Sequence, residues 1–407
     1  MIAFKVVIHV RNGLPEPAFA KIRVHLKSIV KERSVSRILT THVGSLPRPD
    51  PLTTLMYAHQ EGAQSDAELE TAVTEAVQEV VAMQVRAGID VVSDGEMGKA
   101  GFVNYVNERL TGFGGQAAPW VIEDLAEAPE LIAEQYGGEA GAHIMPANCQ
   151  GEISYVGHAL LRRDIANLKA ALGDREAAFM PAASPGVIAV CSPNEHYSDY
   201  DAYIDALADA MAEEYRAIVE AGLLLQLDCP DIPMAAHTQF WCKEEVKRRG
   251  VRGFAERNVA AIDRALEGVD PQRVRLHMCW GNYEGPHHLD APLEELIEAV
   301  LAGAPTMISF EAANPRHEHE WEQFEKRRLP NDKVLLPGVI DTLTNFVEHP
   351  RLVAQRIERY ARLVGPDRVI ASTDCGFGTF VGFGQVSARV AEMKLEALAQ
   401  GAAQARV

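Results

Sequence analysis

Beginning at Ile38, short apolar runs alternate along the chain with longer stretches whose apolar residues recur every three or four positions. Short runs of that kind suit buried strands, and the longer stretches suit helices with one apolar face. The alternation therefore confines the chain to a parallel α/β architecture. Strands are expected over Ile38–Val43, Ile89–Ser93, Gly186–Cys191, Leu223–Leu227, Val274–His277, Thr306–Phe310, Val334–Ile340 and Arg368–Ser372. A helix is expected over Asp66–Ala87, where Leu69, Val73, Val77, Val80 and Val81 form one stripe. Others are expected over Tyr200–Ala221, Gly253–Leu266, Leu293–Leu301, Leu352–Leu363 and Ala388–Leu398. Gly88, Gly222 and Gly268 stand where a helix C-cap needs a left-handed backbone. Eight alternations predict a (β/α)8 TIM barrel, although a doubly wound open sheet leaves a similar trace. Residues 101–180 break the rhythm. Rich in Gly, Ala and Pro, they are expected to form an insertion after strand 2, with small helices and a hairpin near Glu152–Tyr155, over the barrel mouth.

At 407 residues, with 47% hydrophobic and 24% charged residues, the chain has the composition of a soluble globular protein and the length for one large barrel. No apolar run is long enough to span a bilayer, and the start lacks the order of a secretion signal, so a cytoplasmic, membrane-free location is expected. Six cysteines in such a compartment are free for metal or packing and do not form a disulfide framework. A net charge of −18 argues against a nucleic-acid partner, whose phosphates most of the surface would repel. That charge is uneven. Residues 1–37 carry eight Lys/Arg against two Glu, a local +6, which leaves −24 on the remainder. The division expected is an N-terminal extension over 1–37, an added strand or arm, and a barrel over 38–407. A homo-oligomer is compatible with this composition and is not required by it.

The polar residues beyond the strands carry the chemistry. Ser45 follows the first expected strand, Asp94 and Glu96 the second, and Asp228 the fourth. His277 and Cys279 end the fifth, Glu311 follows the sixth, Asp341 the seventh and Cys375 the eighth. In a barrel the carboxyl ends of all strands open on one face, so residues far apart in sequence meet there. Residues i and i+2 of an extended chain point to one side, which lets His277 and Cys279 reach one ion. Two thiols, an imidazole and a carboxylate suit zinc. Their wide separation in sequence differs from the paired ligands of a zinc finger and fits a catalytic site. An isolated His-x-Cys pair is more often a half-buried histidine beside a core cysteine; convergence on one face is what raises the metal reading. Trp280, Asn282 and Tyr283 suit the pocket or the barrel rim, and Arg48, Lys99 and Asn104 suit the pocket by position alone. His287, His288, His317 and His319 lie in polar stretches and read as solvated or as outer support for the site. Cys149, Cys191, Cys229 and Cys242 read as packing residues.

At these positions the sequence resembles the cobalamin-independent methionine synthase family, in its C-terminal catalytic barrel. The motifs that carry the likeness are Thr41-His42-Val43-Gly44-Ser45-Leu46-Pro47, Asp94-Gly95-Glu96, Gln226-Leu227-Asp228, His277-Met278-Cys279, Ile308-Ser309-Phe310-Glu311, Pro337-Gly338-Val339-Ile340-Asp341 and Asp374-Cys375-Gly376. The resemblance implies that His277, Cys279, Glu311 and Cys375 bind Zn2+. It implies that Ser45, Glu96 and Asp228 hold homocysteine, and that Glu96, Asp228 and Asp341 serve catalysis. The reaction implied is transfer of a methyl group to the homocysteine thiol, giving methionine. An acidic pair suits an ammonium group, and a hydroxyl with backbone N–H groups suits a carboxylate.

Two departures bear on the donor. Full-length family enzymes carry a further N-terminal half that helps bind a polyglutamyl methyl-folate, where this sequence has residues 1–37. The family also places a histidine two positions after the aspartate matched by Asp341, and this sequence has Leu343. Methyl-folate and a corrinoid carrier thus both stand as methyl donors. The alternative is a zinc-dependent alkyltransferase or lyase joining another thiol, such as coenzyme M, to an epoxide. Coenzyme M carries a sulfonate and no amine, so it calls for Arg or Lys where this chain has Glu96 and Asp228. The intact ligand set weighs against a barrel that keeps zinc only for stability or binding, and a metal-free uroporphyrinogen decarboxylase-like barrel leaves the four residues unexplained.

Overall fold

The computed structural model describes residues 37–407 except 61, 63–64, 119–120, 137–146 and 385. The expected N-terminal extension therefore lies outside the described residues, Arg37 apart. Eight parallel stretches form the framework: β1 (Leu39–Thr40), β2 (a bridge at Val92), β3 (Phe179–Ala183), β4 (Leu224–Asp228), β5 (Val274–Met278), β6 (Met307–Phe310), β7 (Val334–Pro337) and β8 (Ile370–Ala371). Strands β3 to β7 pair in sequence order in one parallel sheet. The ring then closes through bridges from β7 to the β8 region at Leu335–Val369 and Gly338–Ser372, and through β8 paired with β1. From β1 it continues by Val91 N–H donating to Thr40 O (3.1 Å), and from β2 to β3 by Phe179 N–H donating to Val92 O (2.9 Å). This is the (β/α)8 barrel that the alternation predicts.

Short strands hold because their neighbours supply the missing contacts. The Asp90 carboxylate accepts from Thr40 N (2.8 Å) and Thr40 Oγ1 (3.0 Å), and it also takes both arms of the Arg37 guanidinium at 2.7 and 2.6 Å. A bidentate pair against a buried carboxylate fixes the register of β1 on β2 where only two residues form the ladder. Outside the ring, the helix Asp66–Ala87 ends on Gly88 at φ 88°, whose N–H returns to Gln84 O and Val85 O. Residues Leu39, Phe179, Leu224, Met307, Val334 and Ile370 fill the amino end of the barrel with apolar side chains.

One strand expectation is overturned. Gly186–Cys191 is helical, within Pro185–Cys191, and the third strand is Phe179–Ala183. Ser184 caps that helix by accepting from Val187 N (3.0 Å), and Pro185 opens its first turn. All seven residues are buried, so Val187, Ile188 and Val190 reflect burial more than strand geometry. The strand itself is disguised by Pro181, which lacks an N–H and normally argues against an interior strand.

Among its described residues, the insertion after β2 contains a 3₁₀ turn (Asn104–Glu108), two short helices, and an antiparallel pair of Phe113–Gly114 with Asn148–Cys149. The helix His158–Leu172, which precedes β3, is a barrel helix and not part of it. Buried Arg109 pins the insertion down. It pairs with Asp164 and, at 3.0 Å, with Glu214, whose carboxylate also accepts from Tyr105 Oη (2.9 Å) and Tyr155 Oη (2.8 Å). Removing one member of such a buried network would strand a charge, at a cost of about 3–5 kcal/mol. Cys149, Cys191, Cys229 and Cys242 are buried free thiols. Among the described residues no helix is long and apolar enough to cross a membrane.

Candidate metal and thiol-binding site

The strand register aligns the side chains of the site. Asp228 pairs with His277, and His277 with Ser309, so β4, β5 and β6 present these three residues at one level of the barrel. One pleat below, Gln226 pairs with Arg275. Arg275 donates to Thr41 Oγ1 (3.0 Å) and His42 O (2.8 Å) and lies over the Phe179 ring at 3.9 Å, making a buried cationic floor.

His277, Cys279 and Cys375 come together with one ligand atom of each within 4.8 Å of the others, all buried. The two sulfurs are in hydrogen-bond contact. That contact, more than burial, holds the Cys279 thiol below its ordinary range and pushes the Cys375 thiol well above it. His277 is lowered to about 4, chiefly by burial, so its imidazole is neutral near pH 7. Its Nδ1 stands 3.2 Å from Ser309 Oγ, and its Nε2 has no hydrogen-bond partner among the described residues. A buried, unpartnered ring nitrogen beside two thiols is the donor set that zinc takes.

Glu311 stands outside that trio. Its Oε1 accepts from Trp280 N (2.8 Å) and its Oε2 from Asn314 Nδ2 (3.0 Å). Burial, the largest cause, raises its carboxyl to about 7. Hydrogen bonds of this kind orient a carboxylate and leave it lone pairs to spare, although Glu311 is not one of the three residues whose donor atoms converge.

The turns that carry these residues are tied together. Asp374 accepts from Ala312 N (2.8 Å), Ala313 N (2.9 Å) and Asn314 N (2.7 Å), joining the loop after β8 to the loop after β6. Asn282 donates to Gly376 O (2.9 Å) and Thr379 Oγ1 (2.6 Å), joining the loop after β5 to the same segment. A Cβ on Gly376 would lie 1.9 Å from Ser45 Oγ, so glycine there lets the Ser45 hydroxyl approach the Cys375 turn. The positioning roles of Asp374 and Asn282 carry no signal in the sequence beyond their nearness to the ligands.

Glu96 and Asp228 face the same end of the barrel, both buried. Glu96 adopts φ 58°, rare for a residue with a side chain. Its N–H donates to Asp94 Oδ1 (3.0 Å), while its Oε2 has no partner among the described residues. Asp228 accepts from Gln226 Nε2 (2.8 Å), and burial followed by the charge of Glu96 raises it to about 7. Two buried carboxyls that resist ionisation call for a cation between them.

The charges of Arg48 and Lys99 oppose the rise at Glu96, yet their hydrogen bonds go elsewhere. Arg48 spends its guanidinium on the carbonyls of Gly378 (2.7 Å), Glu96 (3.0 Å) and Lys99 (2.8 Å), and Lys99 Nζ donates to Pro181 O (2.5 Å) over the Tyr105 ring. Asp341 accepts from Leu343 N (3.2 Å), Thr344 N (2.9 Å) and Thr344 Oγ1 (2.5 Å), which commits its carboxylate to the loop after β7. Of the two readings for these histidines, His288 and His319 are exposed, whereas His287 and His317 are not solvated but buried beside Tyr283 and Trp280.

Residues 38–142 match the model of the catalytic domain of cobalamin-independent synthases. A methionine synthase of Saccharolobus solfataricus is 25% identical over 377 residues, covering 89% of this chain and 93% of the relative. One of Sulfolobus acidocaldarius is 27% identical over 342 residues, covering 83% and 85%. The barrel resembles the structure of a B12-independent methionine synthase from a Shewanella species, solved in complex with selenomethionine. The TM-score is 0.67 at 22% identity, with 90% of this chain and 97% of that one aligned. The family match begins at the first barrel strand. The chain thus matches the catalytic domain of cobalamin-independent synthases over residues 38–142 and is similar to methionine synthases over most of its length.

Proposed function

We propose that this protein is a zinc-dependent methyltransferase that moves a methyl group onto the thiol of homocysteine, giving methionine. The observation that carries the reading is the buried trio of His277, Cys279 and Cys375, with the His277 Nε2 unpartnered among the described residues, together with the buried carboxyl pair Glu96 and Asp228. Held by His277, Cys279, Cys375 and Glu311, zinc would supply the means of keeping a thiol deprotonated at neutral pH.

The chain's own residues would do the rest. Glu96 and Asp228 receive the substrate ammonium, which lets both carboxyls ionise and so fixes the amino acid end. Ser45 Oγ, against the Cys375 turn, is placed to meet the substrate carboxylate. Fixing both groups orients the sulfur for in-line attack on the methyl carbon, and the donor keeps the electron pair of the broken bond. Asp341 acts as a positioning residue for the loop that carries Leu343. With leucine at 343, a donor that needs a proton must obtain it elsewhere, and methyl-folate and a methylated corrinoid both remain to be offered.

The engagement of Arg48 and Lys99 with backbone carbonyls speaks against a sulfonate-bearing thiol such as coenzyme M. The test combines zinc content with product analysis. Wild type is expected to retain zinc and to form methionine from homocysteine with methyl-folate triglutamate or methylcobalamin. Cys375→Ser is expected to lose that zinc and at least 100-fold in rate. A wild type that binds no zinc at the thiols, or that alkylates coenzyme M in preference to homocysteine, refutes the reading.

A further inference from the structure

Beside Trp280, near enough for the charges of His287 and Asp290 to act on the Cys279 thiol, a second group of buried side chains surrounds Asp290. His287 Nδ1 lies 2.9 Å and His317 Nε2 2.7 Å from Asp290 Oδ2, and the three donor atoms fall within 4.8 Å of one another. Each histidine is held by its other ring nitrogen. His287 Nε2 donates to Tyr283 O (3.0 Å), and His317 Nδ1 donates to the Glu320 carboxylate (3.1 Å). Imidazoles that ligate a metal are fixed in this way, by a carbonyl or carboxylate on the far nitrogen.

The rings are also clamped face to face: His317 stacks on Trp280 at 3.7 Å and His287 on Tyr283 at 4.1 Å. A third imidazole, His237, is 1% exposed and aims into the group, its Nε2 standing 2.9 Å from Asp290 Oδ1 but out of line for a hydrogen bond. Neither ring nitrogen of His237 nor Asp290 Oδ1 is hydrogen-bonded among the described residues. His237 Nε2 and Asp290 Oδ1 still face each other as an ion pair, while His237 Nδ1 has only Asp124 Oδ1 at 4.0 Å.

We propose that His287, His317 and Asp290 form a second metal site for a borderline divalent ion such as Zn2+, with His237 supporting Asp290 or completing the ligand set. Two imidazoles and one carboxylate, with no sulfur, are a donor set that takes Zn2+ or Fe2+ and leaves open positions. Without an ion, the same geometry requires both rings to carry two protons, because every acceptor they face is a carboxylate or a carbonyl. The site therefore demands positive charge in a buried place, and a divalent ion meets that demand with fewer groups. The proposal does not depend on the thiol site, since the two share no residue.

The test uses the purified full chain, stripped and titrated with Co2+ and, separately, loaded with Zn2+ and analysed for metal. Wild type is expected to bind two equivalents. Cys375→Ser is expected to keep one and lose the thiolate-to-cobalt charge-transfer absorption. Asp290→Asn is expected to keep one with that absorption intact, which also shows that the variant folds. One equivalent in wild type, absent from Cys375→Ser, would overturn the second site and leave the thiol site standing. One equivalent that survives Cys375→Ser and is lost in Asp290→Asn would support the second site and refute the proposed methyltransferase metal.

Discussion

His42 shows how a single buried residue sets a pH limit on the fold. Its Nε2 lies 2.7 Å from Gln84 Oε1, its ring meets Phe179 edge-on, and burial lowers its pKa from 6.5 to about 4. The folded state thus refuses a proton that the unfolded chain accepts. Stability from this source is complete above pH 6.5, is lost as pH falls toward 4, and is worth roughly 3 kcal/mol at most. His42→Gln keeps a polar contact for Gln84 and cannot titrate. In urea unfolding it is expected to be less stable than wild type at pH 7.5, with the gap narrowing by up to about 3 kcal/mol at pH 4. A gap that stays constant with pH would assign the acid sensitivity to other groups.

At the scale of elements, the site depends on loops that hold one another more than on the strands that launch them. Asp374 collects three backbone N–H groups from the loop after β6, and that loop carries Glu311 while Asp374 itself adjoins Cys375. Asp374→Asn puts a donor where three donors already converge. Chelator competition is expected to show a zinc affinity lower by about 10–100-fold, and unchanged affinity would show that the loops hold without this contact. These links explain what the sequence conceals. His277 and Cys279 can be placed on one side of a strand by spacing alone, and Glu311 and Cys375 by their following apolar runs. The burial of His287 and His317 cannot, because it comes from stacking on Trp280 and Tyr283 and from bonds to Asp290 across the loops. Likewise Gly186–Cys191 reads as a strand because its apolar residues face apolar surroundings on every side, while Ser184 and Pro185, which decide for helix, are a local signal of two residues.

For the whole molecule, the ring would make the proposed metal binding and folding one process. The proposed ligands lie at the ends of β5, β6 and β8, and β8 pairs with β1, so the proposed thiol site spans the segment across which the barrel closes. The amino end of the barrel is a single apolar cluster drawn from nearly every strand, and the outer core is continuous around it. Neither half of the ring has a core of its own, and unfolding is expected as one transition. An ion that binds only the closed ring then raises the midpoint of that transition; a thousandfold excess over Kd is worth about 4 kcal/mol. Chelation of wild type in a calorimeter is expected to lower the midpoint by several degrees while the transition stays single. Cys375→Ser is expected to begin lower and to respond less to the same chelator, keeping the part of the shift that belongs to His287, His317 and Asp290. A separate early transition after chelation would mean that the site region unfolds by itself, and an unchanged midpoint would mean that no ion bridges the closing strands.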